Sequence, residues 1–94
     1  MLTLEQALAE LPDTADGIAD RMRALGIKGR REHGDSCPLA NWLKNRGFDS
    51  PWFGSLWVTV WDGDEHRECD TPDSASEFVR RFDAGVYLDL EEVA

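Results

Sequence analysis

Cysteine is scarce in this chain, with Cys37 and Cys69 its two thiols among 94 residues. That excludes the multi-bridge framework by which small secreted domains hold together, and it favours free thiols. Long apolar runs are missing as well. No stretch approaches the roughly 20 residues that span a bilayer, and a polar, acidic segment follows Met1 instead of a basic, apolar leader. The expected compartment is therefore the cytoplasm, with no membrane partner. There is no phosphate-cradling glycine motif, no serine elbow and no pair of acids at a catalytic spacing. Asp62, Asp64 and Glu65 lack the glycine and bidentate glutamate of a calcium loop. These gaps predict neither catalysis nor a cofactor. Bases are also few, 10 against 19 acids, giving a net charge of -9. Such a balance disfavours nucleic acid and anionic membranes as partners.

What is present is organised. Residues 1–20 carry five acids and no base, while residues 21–46 carry seven bases against Glu32 and Asp35. Residues 48–94 carry twelve acids against Arg67, Arg80 and Arg81. A basic middle thus lies between acidic ends. It is expected to pair with them, and Arg30, Arg31, Lys44 and Arg46 are the candidates for a local anion-binding face.

The hydrophobic fraction of 41% suffices for one small core, so residues 1–94 are expected to form a single domain. Thr3 and Gln6 have the spacing of a capping box, and Leu4, Ala7, Leu8 and Leu11 follow at helical period up to Pro12. Asp13 or Thr14 caps a second helix with Ala15, Ile18, Ala19, Met22 and Leu25 on one stripe, closed by Gly26. Residues 26–34 read as a loop. A third helix starts at Asp35 or Ser36, with Pro38 in its first turn and Gly47 as its stop. Asp49-Ser50-Pro51 reads as a turn. Leu56 to Trp61 alternates as a strand, Asp62-Gly63 turns, and Glu65 to Cys69 returns as a polar edge. Ser74 and Glu77 suggest another capping box, before a helix with Ala75, Phe78, Val79 and Phe82 inward and Gly85 at its end. The alternating tail Val86 to Leu90 could dock as a strand. The predicted fold is α+β: three short helices, a β-hairpin, and a last helix with a docked tail.

Three segments carry a resemblance: Ala19 to Gly29, Cys37-Pro38-Leu39-Ala40-Asn41-Trp42-Leu43, and Phe78 to Tyr87. Together they resemble a group of small uncharacterised bacterial proteins with a Gly-Ile-x-Gly loop, a Cys-Pro-Leu-Ala-x-aromatic-Leu helix start and a Phe-Asp-x-Gly end. The resemblance spans most of the chain and implies no activity. The second hairpin strand of that group is usually more apolar than Glu65 to Cys69, which sets His66 and Cys69 apart as features of this chain. The order of elements also resembles a winged helix-turn-helix, with Asp35 to Arg46 as recognition helix and the hairpin as wing. That analogy makes DNA binding the alternative function, although the nine-residue turn and acidic wing depart from the motif.

Three constellations could carry chemistry. Cys37 at a helix start, near Arg30, Arg31 and His33, has the setting of an activated thiol. No residue is placed to orient His33, so a buried structural cysteine is the expected reading, and a thiol enzyme is a second alternative. His33 with Cys37 and His66 with Cys69 form two local pairs of soft ligands. They lack a cysteine knuckle, and His66 and Cys69 would face opposite sides of a strand, so no metal is expected. Last, Trp57 and Trp61 share one strand face while Leu56, Val58 and Val60 share the other. A hairpin can lay one face on helices, so one row needs another cover: the tail, the Trp52-Phe53 loop or a partner. Trp52, Trp57 and Trp61 are the candidate partner-binding residues. The function expected is a non-catalytic interaction or regulatory module that binds another protein or a second copy of itself.

Overall fold

The computed structural model describes residues 3–92. Its elements are α1 (Leu4–Ala9), α2 (Ala15–Leu25), α3 (Pro38–Asn45), β1 (Asp49–Phe53), β2 (Trp57–Asp62), β3 (Glu65–Asp70), α4 (Asp73–Asp83) and a 3₁₀ turn, Leu88–Leu90. The class is α+β, with a three-stranded antiparallel sheet in the order β1-β2-β3.

Local chemistry sets the helix ends. Thr3 and Gln6 close a reciprocal capping box on α1, with Gln6 N–H donating to Thr3 Oγ1 at 3.1 Å. Thr14 Oγ1 accepts from Gly17 N–H at 3.0 Å and starts α2. A Cβ on Gly17 would press on Pro12 and Thr14, so glycine lets the chain fold tightly there. At the other ends, Gly26, Gly47 and Gly85 all take positive φ, of 70°, 95° and 84°. In each case the next residue's N–H reaches back to the last turn: Ile27 to Met22, Phe48 to Leu43 and Val86 to Arg81.

One contiguous core joins all the helices to the inner face of the sheet, where Phe53, Val58 and Val60 are buried. Leu4, Ile18, Met22, Leu39, Leu43, Phe78 and Phe82 fill it from the helices. Phe78 stacks between Phe82 and Tyr87, at ring separations of 6.0 and 5.3 Å.

Several expectations are corrected. The hairpin gains a third strand, β1, from the segment read as a turn. Ser50 takes φ 46°, and the β1–β2 register shifts between Asp49 and Trp52, a bulge that admits Pro51. Neither Asp35 nor Ser36 caps α3; Cys37 does, its Sγ accepting from Ala40 N–H at 3.4 Å. The capping box at Ser74 is absent. Its hydroxyl donates instead to Pro12 O at 2.9 Å, tying α4 to the α1–α2 corner. Leu25 and Leu56 leave their expected stripes and are exposed. The tail docks, but not as a strand of the sheet. Leu90 and Tyr87 are buried, and Glu91 makes a parallel bridge with Gly29. A Cβ on Gly29 would strike the backbone of residues 36–38, so the loop and the start of α3 touch because position 29 has no side chain.

Candidate functional site

Strand residues alternate between the faces of a sheet, and the register assigns the outer face. Trp57 lies opposite Asp70, Thr59 opposite Glu68, and Trp61 opposite His66. On the other side Trp52 lies opposite Thr59. Three tryptophans therefore share the surface turned away from the core. Trp52, Trp57 and Trp61 are 40%, 43% and 46% exposed, while Val58 and Val60 between them are sealed. The third strand that the sequence concealed thus brings Trp52 beside Trp57, with centroids 6.2 Å apart.

The aromatic surface is braced. An added Cβ on either Gly34 or Gly54 would collide with the Trp52 indole, which lies across both glycines. Phe53 N–H donates to Gly34 O at 2.8 Å and fixes that loop beneath the ring. At the far end the Trp61 ring meets His66 in a tilted contact, with centroids 5.0 Å apart. Near Trp52 an open cleft of about 590 Å3 is lined by Asp35, Lys44, Phe48, Asp49, Ser50, Pro51 and Trp52. Glu68 and Asp70 are exposed on the same face, and their carboxylates have no hydrogen-bond or ion-pair partner among the described residues.

The basic candidates are mostly engaged. Arg46 grips Glu10 at 2.8 and 2.9 Å and lies over Trp42, Arg31 pairs with Glu91 at 2.8 Å, and Lys44 donates to Asp35 O at 2.9 Å. Arg23 bridges Asp20 and Asp89, and its guanidinium holds the Asp89 carboxyl below the ordinary range. The basic middle thus reaches both acidic ends. Of the four candidates, the Arg30 side chain alone has no hydrogen-bond or ion-pair partner among the described residues. On α3, Pro38, Leu39, Ala40, Trp42 and Leu43 are buried, which leaves Lys44 and Asn45 as its exposed residues.

The four soft ligands are dispersed. His33 is exposed on the α2–α3 loop, Cys37 is buried at the head of α3, His66 is on the outer face of β3, and Cys69 is opposite Val58 on the inner face. Among the described residues no three His, Cys, Asp or Glu side chains are grouped to hold a metal ion. Both thiols are free. Burial pushes Cys37 up to about 11, against the capping N–H groups that favour its thiolate. Cys69 is pushed up to about 12, by partial burial first and then by Glu5, whose carboxylate accepts its S–H at 2.9 Å. That bond in turn lowers Glu5. No helix among the described residues is long and apolar enough to cross a membrane.

Sequence reasoning missed Glu68 and Asp70 as part of this surface. Their signal was the alternation of β3, which puts residues 66, 68 and 70 on the tryptophan side once the turn at 63–64 fixes the register. Comparison with protein-family models, curated proteins and solved structures finds no match to the chain.

Proposed function

We propose that the chain is a small non-catalytic interaction module that docks another protein on the outer face of its sheet. The observation that carries this reading is the placement of Trp52, Trp57 and Trp61, large apolar rings left nearly half exposed together on one face. Tryptophan anchors binding surfaces out of proportion to its frequency, because a rigid ring covers much area and loses little entropy. Trp52 is held in place before any partner arrives, since the glycines beneath it fit its ring closely. The free thiols suit a reducing compartment, so we place its work in the cytoplasm.

A selection from a displayed peptide library tests the reading. Peptides enriched on the native protein should lose their affinity for Trp57→Ser and Trp61→Ser variants that still unfold cooperatively. Undiminished binding to those variants would move the docking surface elsewhere.

A further inference from the structure

We propose that the tryptophan face takes a basic segment of another protein, presented in an extended conformation with arginine or lysine at alternate positions. This inference rests on the docking reading above and names the chemistry of its partner. It follows from what borders the rings. Asp70 lies directly across from Trp57, and Glu68 lies in one row with Thr59 and Trp52. Both carboxylates are exposed and unpartnered among the described residues, unlike Glu10, Glu77 and Glu91, which arginines neutralise. A carboxylate across the strand from an indole fits a guanidinium or ammonium on two counts. The ring quadrupole attracts the cation and the acid pairs with it.

The spacing sets the pattern. Glu68 and Asp70 are two residues apart on one face of a strand, about 7 Å. An extended segment with cations at i and i+2 presents them at the same interval. The cleft at the Trp52 end adds Asp35 and Asp49 to its walls, and its Lys44 amine is turned to the Asp35 carbonyl. A second copy of this chain fits poorly, because stacking two such faces brings together two acidic surfaces of a protein of net charge -9.

Fluorescence titration of the whole chain with four synthetic octapeptides tests the proposal: Arg-Ser alternating, its isomer with the arginines in one block, Glu-Ser alternating and Leu-Ser alternating. The alternating Arg-Ser peptide should bind tightest at low ionic strength and weaken as salt rises. Trp57→Thr, and separately Glu68→Gln with Asp70→Asn, should each weaken it by about tenfold, the scale of one cation–π contact or paired charge. Equal binding of the block isomer, unaffected by Trp57→Thr, would reduce the effect to net charge and overturn the proposal. Trp57-dependent binding of Leu-Ser that ignores the carboxylate variants would overturn the basic partner while leaving the docking surface standing. If no peptide binds in a Trp57-dependent way, the proposal falls, and the library selection then decides the docking reading on its own.

Discussion

Trp57 and Val58 are adjacent on β2, yet Val58 is sealed and Trp57 is 43% exposed. The same reversal separates Trp52 from Phe53 on β1, at 40% and 1%. Composition alone would bury the larger ring each time. The sheet does the opposite, because its inner surface packs into the core that the helices fill, and short or flat side chains fit that gap. The inner face is thus accounted for by folding. The outer face carries more apolar area than the fold uses, and that surplus is the basis of the proposed docking role.

The largest effect is expected on the inner face. Phe53→Ala should cost about 3–5 kcal/mol, the range for emptying a sealed aromatic site, as read by guanidinium unfolding. A cost below that of any outer-face substitution would show that the two faces had been assigned the wrong way round. Next comes the brace beneath Trp52. Gly34→Ala forces the indole aside, so about 1–3 kcal/mol should be lost, together with a shift in tryptophan emission. An unchanged spectrum would mean that Trp52 is not pinned there.

Cys37→Ala removes a cap acceptor and a packed sulfur, for about 1–2 kcal/mol. In the native protein iodoacetamide should label Cys69 before Cys37, since Cys37 is 3% exposed while Cys69 is only partly buried. The upward shift of the Cys37 thiol also sets a pH dependence. The unfolded thiol releases its proton near its ordinary 9.0 while the folded one holds it to about 11, so this contribution is full below pH 9 and is lost as pH rises through that window. Cys37→Ala should flatten the alkaline fall in stability. The smallest effect belongs to the surface pairs. Arg46→Gln breaks the contact with Glu10 and should cost less than about 1 kcal/mol, which thermal unfolding at low and high salt would check.

How much of this was legible in the sequence varied with how local the cause was. The Thr3–Gln6 box, the Thr14 cap and the three glycine stops depend on neighbours within a turn, and each is where the sequence put it. β1 was not legible, because Asp-Ser-Pro has turn chemistry and becomes a strand through a bulge and pairing with β2. Cys37 was placed at the helix start but one position inside it, since a thiol is an uncommon cap. The tryptophan row was visible as a period of two, but which face needed cover was not. That depended on β1 bringing Trp52 alongside and on the helices taking the valines.

On the proposed reading, the sheet's inner face holds the fold and its outer face is free for a partner. Lysine placed at two adjacent positions tests it, by measuring the unfolding free energy of Val58→Lys and Trp57→Lys side by side. Val58→Lys puts an unpaired charge into the core and should cost more than about 4 kcal/mol or prevent folding. Trp57→Lys faces solvent beside Asp70 and should keep cooperative unfolding within about 3 kcal/mol of the native chain. If Trp57→Lys is as damaging as Val58→Lys, the tryptophans belong to the core and the account of the outer face is wrong.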